Sequence, residues 1–161
     1  MNEQDFVARY GGIYEHSPWV AEEAATIVDD GTDMETLATV MADCVDNASS
    51  ERQLELICAH PDLAGMASIA GTLTEASTAE QASAGLDQCS QEEFARFQAM
   101  NAGYWEKFGF PFVMAVRGST RIDILDAFAT RLQNDYDEEF ETALAEIHKI
   151  ARLRFEAMEA D

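Results

Sequence analysis

Three short segments of this chain carry residues whose types and spacing could support proton-transfer chemistry. HPDLAG begins at His60, STAEQ begins at Ser77 and includes Glu80, and FGFPFV begins at Phe108. An imidazole can take up and release protons near neutral pH, and a nearby carboxylate can orient it. The three segments therefore predict a pocket with one acid/base group, one carboxylate and an apolar wall.

The first part of the chain must position these segments, and its apolar residues recur at helical spacing. Ser17 before Pro18 predicts a helix with serine as the N-cap, running to about Asp29. A turn at residues 30–33 should follow. Residues 34–45 then repeat apolar side chains at intervals of three and four, which predicts a second amphipathic helix.

A third helix is predicted to open at Ser50, with Gln53 in the capping-box position. Pro61 disfavours helical geometry in the residue before it, so this helix should end before His60. The imidazole is thus expected at a helix C-terminus. Helix-end carbonyl groups would also suit a histidine with a purely structural role.

Two S-x-x-E patterns predict helix starts further along the chain. Ser77 with Glu80 forms one capping box, and Ser90 with Glu93 forms the other. The first of these helices should end near Gly85. The second should end at residues 108–109, before the proline-containing apolar segment.

Two more helical patterns cover residues 119–133 and 136–158, and no segment alternates with period two for long enough to form a sheet. With 161 residues and 47% hydrophobic content, the chain is large enough to bury a core. We expect a single all-α domain over residues 1–161, with about seven to nine helices.

The net charge of −21 makes a nucleic-acid backbone or an anionic membrane an unsuitable partner. Residues 1–95 hold Arg9 and Arg52 against 19 acidic residues, whereas residues 96–161 hold eight basic residues against 12 acidic ones. A group that holds an anion should therefore come from the second range. The acidic, lysine-poor composition also suggests adaptation to a saline cytoplasm.

Cysteine content and hydropathy favour a cytoplasmic protein. The three cysteines (Cys44, Cys58 and Cys89) are widely spaced with no C-x-x-C pair, which argues against a disulfide framework and a zinc site and predicts buried, reduced thiols. No apolar run approaches the roughly 20 residues that span a bilayer, and the N-terminal residues lack the pattern of a signal peptide.

Taken together and in this order, five motifs of the chain resemble those of the 2-oxo-4-hydroxy-4-carboxy-5-ureidoimidazoline (OHCU) decarboxylase family. They are YGGIYEHSPWVA at residues 10–21, HPDLAG at 60–65, S-x-x-EQ-x-x-AGL at 77–86, N-x-x-Y with FGFPFVMAVRG at 101–118, and IARLR at 150–154. The resemblance spans nearly the whole chain.

The resemblance implies an all-helical enzyme without a cofactor or metal, usually a homodimer, that converts its small-molecule ureidoimidazoline substrate to (S)-allantoin with loss of carbon dioxide. It implies that His60 is the catalytic acid/base and Glu80 its carboxylate partner. It also implies a set of substrate-binding residues: Pro61, Ser77, Gln81, Arg154, and the backbone of Phe112, Val113, Met114, Ala115 and Val116.

Decarboxylation leaves an electron pair on carbon, and the substrate of this family carries an imine that can accept it. The protein then has to orient the substrate, exclude water and move protons, and His60 could serve either the hydroxyl group or the carbon that gains hydrogen. Two alternatives remain at this stage: a non-enzymatic acidic helical module that occupies a basic partner, and an enzyme that acts on another ureidoimidazoline. His16 and His148 are weaker candidates for catalysis.

Overall fold

The computed structural model describes residues 2–63 and 73–160, and the regular structure of those residues is helical, without a strand. Within these ranges lie eight α-helices: α1 (Glu3–Tyr10), α2 (Trp19–Ala25), α3 (Met34–Asp46), α4 (Ser50–Cys58), α5 (Glu75–Ser83), α6 (Gln91–Phe108), α7 (Arg121–Arg131) and α8 (Tyr136–Ala160). A short 3-10 helix covers Leu86–Gln88. The all-α prediction is confirmed. Ala64 and Gly65 of the HPDLAG motif lie outside the described residues.

The chain divides into two compact units. The first comprises the chain up to His60 together with the chain from Ile147 onward, and the second comprises Pro61–Glu146. In the first unit α1 packs on α2 and α2 on α3. Its core includes Val20, Met41 and Leu56, each with no exposed surface, which is the apolar burial that stabilises short helices.

The second unit is built around aromatic rings. Tyr104 of α6 contacts the rings of Phe108, Phe110, Phe112 and Phe128, mostly edge to face. Phe112 also stacks on Phe128 of α7, with ring centroids 3.7 Å apart. Such rings bury large apolar areas and prefer these offset and edge-on arrangements. The FGFPFV segment is therefore part of the core of this unit.

Helix α4 ends as the sequence predicts, but it begins differently. Ala59 is the C-cap, so His60 lies just beyond the helix end. The N-cap is Ser49, whose hydroxyl accepts a hydrogen bond from the Arg52 N–H. The predicted Ser50–Gln53 capping box is wrong, because the Gln53 amide instead donates to carbonyl groups at the end of α3.

Helix α2 is shorter than predicted and has a different N-cap. Pro18 occupies the N-cap position without a side-chain hydrogen bond, and the Ser17 hydroxyl donates to the Glu15 carbonyl instead. The helix ends at Ala25 and not near Asp29. A Ser-Pro pair marks a helix start, but it does not specify which backbone group forms a hydrogen bond with the serine hydroxyl.

Helix α5 begins earlier than the predicted Ser77–Glu80 capping box. Thr74 is its N-cap, with its hydroxyl accepting from the Ser77 N–H, so Ser77 lies within the helix. The helix ends at Ser83, close to the predicted end, and Gly85 follows in the left-handed conformation that glycine adopts without strain.

The remaining helix predictions hold, with one omission. The Ser90–Glu93 capping box opens α6, and Gly109 closes it in the left-handed conformation. Helices α3, α7 and α8 lie where the periodicity places them. Helix α1 is an additional element, capped by the Asn2 side chain.

Burial of the thiols differs from the prediction. Cys44 is buried, Cys89 is half-buried and Cys58 is exposed, so the prediction of buried thiols is correct for Cys44 alone. Cys58 belongs to the last turn of α4, on the side of the helix away from buried Leu56 and Ile57. Among the described residues, no helix is long and apolar enough to cross a membrane.

Candidate active site

His60 is held in one tautomeric form by the end of α4. Its Nδ1 lies 3.0 Å from the Leu56 carbonyl oxygen, and the residue is 7% exposed. A carbonyl oxygen can only accept a hydrogen bond, so Nδ1 carries the hydrogen and donates it. The lone pair of the neutral imidazole therefore resides on Nε2, which is the nitrogen that can accept a proton.

The surroundings of His60 favour this neutral form. Burial lowers the pKa of the imidazole to about 4, because a charged ring loses hydration there. The hydrogen bond to Leu56 and the charge of Glu15 act in the opposite direction, whereas Arg154 and His16 lower the pKa further. His60 is thus an uncharged base at neutral pH.

Arg154 is held by a buried carboxylate and two backbone carbonyl groups. Its Nη2 donates to Glu15 Oε2 at 2.7 Å, and its Nη1 donates to the carbonyl oxygens of Gly12 at 3.1 Å and Ile13 at 3.4 Å. Glu15 is 2% exposed. The charge of Glu15 raises the pKa of His60 and the charge of Arg154 lowers it, so these three residues of the first unit are electrostatically coupled.

Helix α5 presents three of the predicted site residues on one side. Ser77 and Gln81 are one helical turn apart and buried, and Glu80 beside them is half-buried. The Gln81 amide lies 3.4 Å from the Asp62 carbonyl oxygen, which it approaches as a donor. The second unit thus places this helix next to the segment that includes Pro61.

Two side chains of α6 anchor the same segment. Asn101 donates from Nδ2 to the Leu63 carbonyl at 3.0 Å, and Trp105 donates from Nε1 to the Asp62 carboxylate at 2.9 Å. Partial burial raises the pKa of Asp62, and the bond from Trp105 opposes that effect. The residues that follow the histidine are therefore fixed by specific hydrogen bonds.

Residues 112–116 belong to the non-helical connection between α6 and α7, and two charged side chains bind its backbone. Arg131 Nη1 donates to the Val113 carbonyl at 2.7 Å, and the Ala115 N–H donates to Glu146 Oε1 at 3.3 Å. Phe112, Val113 and Val116 are buried, whereas Met114 and Ala115 are half-buried.

Of the predicted site residues, His60 and Arg154 belong to the first unit and the other nine to the second. Four further polar residues became visible only in the structure: Glu15, Arg131, Glu139 and Glu146, all buried. Glu15 has a weak sequence signal, because it is an acid inside the aromatic and apolar segment YGGIYEHSP. Arg131 and Glu139 have no signal beyond their position on helices.

The other two histidines have different surroundings. The His16 side chain is 64% exposed. His148 bridges the Tyr14 hydroxyl and the Asp46 carboxylate, each at 2.9 Å, which gives it a structural role within the first unit. Across residues 2–63 and 73–160, no group of three or more histidine, cysteine or acidic side chains is placed to hold a metal ion.

The described helices hold a buried, neutral imidazole and a buried arginine–carboxylate pair in the first unit, and groups of these types can support proton transfer. The OHCU decarboxylase family model matches residues 1–156. The chain belongs to the OHCU decarboxylase family.

Similar proteins agree with this assignment. The chain is 44% identical over 154 residues to 2-oxo-4-hydroxy-4-carboxy-5-ureidoimidazoline decarboxylase of Haloferax volcanii, covering 96% of this chain and 89% of that protein. It is 38% identical to the uric acid degradation bifunctional protein PucL of Bacillus subtilis, covering 96% of this chain and 30% of that longer protein. The solved structure of an (S)-allantoin synthase superposes with a TM-score of 0.74 at 32% identity, over 98% of this chain and 50% of that one. The interaction-module alternative is therefore set aside.

Proposed function

We propose that this enzyme decarboxylates OHCU to (S)-allantoin and carbon dioxide in urate degradation. Family membership and the relatives named above support the reaction class and the substrate. The observation that carries the mechanism is the buried, neutral His60, whose Nδ1–H donates to Leu56 and whose Nε2 is the basic nitrogen.

His60 acts first as a base. As the carbon–carboxylate bond breaks and carbon dioxide leaves, its electron pair forms a double bond to the neighbouring imine carbon. The π pair of the imine moves to the imine nitrogen, which takes up a proton from solvent. The hydroxyl on the reacting carbon then gives its proton to Nε2 of His60 while the hydroxyl becomes a carbonyl. The imidazolium returns a proton to the neighbouring carbon on one face, which yields a single enantiomer.

The charges beside His60 suit this cycle. A fully buried imidazolium would be costly, but Glu15 opposes the effect of burial and favours the protonated ring. Arg154, fixed by Glu15, is the proposed contact for a carboxylate or carbonyl group of the substrate. An arginine whose guanidinium is already oriented loses little conformational freedom when the substrate arrives.

We also propose roles for residues of the second unit. We assign Pro61, Ser77, Gln81 and the backbone of residues 112–116 to substrate binding, and Glu80 to orienting the imidazole or binding the ureido N–H groups. Phe110 and Phe112 supply an apolar wall that favours departure of neutral carbon dioxide over a buried carboxylate.

We further propose that residues 1–161 act as one domain, that the enzyme forms a homodimer in the cytoplasm, and that it needs no cofactor because the substrate imine accepts the electron pair. The match of the family model across both compact units supports one functional domain. Sedimentation equilibrium tests the dimer, and activity after extensive dialysis against a chelator tests independence from metal ions.

The test of function generates the unstable substrate in situ from urate with the two preceding activities and follows the circular dichroism of allantoin. Accelerated formation of the (S) enantiomer is expected. His60→Gln and Glu80→Ala should each lower turnover by about 10² or more if they act in the proton step.

A matched control is His16→Asn, which replaces an exposed histidine whose φ of 49° asparagine tolerates. Its turnover should stay close to that of the unmodified enzyme. Absence of acceleration by the unmodified enzyme would exclude the proposed reaction, and activity only on a related ureidoimidazoline would favour the alternative substrate.

A further inference from the structure

The second unit contains a buried ion pair that no step described above uses. Arg131 of α7 and Glu139 of α8 are 8% and 0% exposed. Arg131 Nε lies 3.1 Å from both carboxylate oxygens of Glu139, and Nη2 lies 3.0 Å from Oε2. Nε donates to both oxygens, whereas Nη2 is in ion-pair contact without a hydrogen bond, and the bonds from Nε and from Nη1 to Val113 together fix the guanidinium group.

Other donors also bind the Glu139 carboxylate. The Tyr104 hydroxyl donates to Oε2, and Asn134 Nδ2 donates to Oε1 at 3.0 Å. Desolvation and the bond to this carboxylate raise the pKa of the Tyr104 hydroxyl, so it remains a donor. Glu139 is therefore a fixed point to which α6, α7 and α8 are all connected.

From this fixed point, Arg131 reaches the backbone proposed to bind substrate. Its Nη1 donates to the Val113 carbonyl at 2.7 Å, and its guanidinium lies over the Phe112 ring, 4.2 Å from the ring centroid. A cation bound to a carbonyl oxygen polarises the peptide group, because the oxygen gains negative charge and the N–H becomes a stronger donor. The N–H of this peptide belongs to Met114.

We propose that Arg131 is a positioning residue for the reaction: it fixes and polarises the Val113–Met114 peptide so that the Met114 N–H donates strongly to a carboxylate or carbonyl oxygen of the substrate. This inference rests on the proposed function, in which residues 112–116 contact the substrate. Glu146 serves as a second anchor, because it accepts from the Ala115 N–H one residue further along.

Stability alone does not explain why the buried pair of Arg131 and Glu139 is charged. Removing two charges from water is costly, and apolar residues of similar size often stabilise a core at least as well. An apolar pair could not donate to the Val113 carbonyl. The arginine supplies that donor, and Glu139 neutralises and orients the arginine.

The experiment compares Arg131→Lys with the double variant Arg131→Met/Glu139→Gln, which removes the donor to Val113 without leaving an unpaired buried charge. Both should raise KM about tenfold while kcat changes less than about twofold, because a ground-state binding interaction is weakened. Circular dichroism and the unfolding midpoint establish that each variant is folded.

Two control variants separate positioning from general loosening of the core. Tyr104→Phe removes a donor to Glu139 but leaves the bond from Arg131 to Val113, so it should lower the unfolding midpoint with KM unchanged. Arg121→Lys alters the other arginine–glutamate pair of α7, which involves Glu93 and the carbonyl of Gly85, and should leave KM unchanged.

A second measurement does not depend on turnover. In protein labelled with ¹⁵N-methionine, the Met114 amide proton should shift upfield in both Arg131 variants and stay in place in Tyr104→Phe. Wild-type KM in the folded double variant, an equal rise of KM in Tyr104→Phe, or an unmoved Met114 amide would each overturn the inference. An inactive wild-type protein with the expected amide shifts would instead refute the proposed function.

Discussion

His60 derives its chemistry from the carbonyl group four residues before it. In the last turn of α4, the Leu56 carbonyl accepts the Nδ1–H of the ring at 3.0 Å, in addition to a longer bond of 3.3 Å from the Ala59 N–H. Burial then keeps the ring uncharged. A structural role and the proposed role as a base are therefore compatible, because the bond that holds the ring at the helix end also leaves Nε2 as the basic nitrogen.

The lowered pKa of His60 makes its contribution to stability depend on pH. Between pH 6.5 and about 4, the unfolded chain protonates this histidine and the folded protein does not, so stability falls as the pH decreases. The contribution is present above pH 6.5 and amounts to at most about 3 kcal/mol. It should be lost as the pH falls through this range.

Urea unfolding of the unmodified protein and of His60→Gln at several pH values measures this contribution. The difference in unfolding free energy between the two proteins should narrow as the pH falls from 7 to about 4, because glutamine does not titrate. Carboxylates contribute similarly to both proteins and cancel. A difference independent of pH would contradict the lowered pKa.

Glu15 should control both the orientation of Arg154 and the titration of His60. Glu15→Gln removes the charge partner of a buried guanidinium, which should lower the free energy of unfolding by about 3 kcal/mol. The pKa of His60 should also fall further, because Glu15 raises it and Arg154 lowers it. NMR titration of the His60 ring protons measures this shift.

Glu22→Gln is the control for Glu15→Gln, because Glu22 is an exposed acid on α2 of the same unit. Glu22→Gln removes the same charge as Glu15→Gln but should leave the pKa of His60 unchanged. If both variants shift the titration equally, the effect comes from overall charge and not from the pair of Glu15 with Arg154.

At the scale of elements, the sequence predicts helices well and their first residues less well. Ser90 with Glu93 forms the predicted capping box: Ser90 is exposed and Glu93 half-buried, and the Arg121 guanidinium binds Glu93 Oε2, which leaves Oε1 for the Ser90 N–H. Ser77 with Glu80 has the same pattern but lies inside α5, because Thr74 caps the helix and Ser77 is buried. A local pattern cannot distinguish these cases, since burial is set by distant parts of the chain.

Substitution of two hydroxyl residues near the start of α5, the N-cap Thr74 and the buried Ser77, should therefore give opposite phenotypes. Thr74→Ala should lower the free energy of unfolding by about 1 kcal/mol and leave KM unchanged, because it removes the N-cap. Ser77→Ala should leave the cap intact and raise KM, because the buried hydroxyl is assigned to the substrate. Thermal unfolding and steady-state kinetics of both variants distinguish these roles.

Ser90→Ala provides a reference for the capping effect, since it removes the N-cap of α6. Its loss of stability should match that of Thr74→Ala. A rise of KM in Thr74→Ala comparable to that in Ser77→Ala would mean that the start of α5 and the substrate contact are not separable.

The candidate site divides in the same way between residues that sequence can identify and residues that it cannot. His60, Glu80 and Arg154 belong to recognisable motifs of the family. Glu15 and Arg154 are 139 positions apart, so their bond is a consequence of tertiary folding that no local pattern encodes. Arg131 and Glu139 carry ordinary helical spacing, and only their burial reveals that they are more than surface charges.

At the scale of the whole molecule, the dominant property is negative charge. The chain holds 31 acidic and 10 basic residues. Basic side chains that donate to backbone carbonyls include Lys107, Arg121 and the buried Arg131 and Arg154, which all lie after residue 95. Buried positive charge is thus concentrated where it binds protein groups, while the excess acids repel one another across the surface. This repulsion should oppose folding at low ionic strength.

Salt should therefore stabilise the protein by screening. The Debye length falls from about 10 Å at 0.1 M salt to about 3 Å at 1 M, so the unfolding midpoint should rise by roughly 5–10 °C over that range of potassium chloride and then level off. Differential scanning calorimetry measures the midpoint. Exclusion of the salt from the protein surface would instead give a rise that continues in proportion to concentration, as expected with sulfate.

A variant with fewer negative charges tests whether repulsion between surface acids causes the rise of the unfolding midpoint with salt. Replacing six exposed glutamates by glutamine removes six negative charges without touching a proposed site residue: Glu22, Glu35, Glu51, Glu55, Glu106 and Glu138. This variant should have a higher midpoint than the unmodified protein at 0.1 M salt and a smaller rise up to 1 M, because less repulsion remains to be screened. Flat midpoints for the unmodified protein from low to molar salt would show that its acidic surface does not limit stability, and the proposed adaptation to a saline cytoplasm would then be wrong.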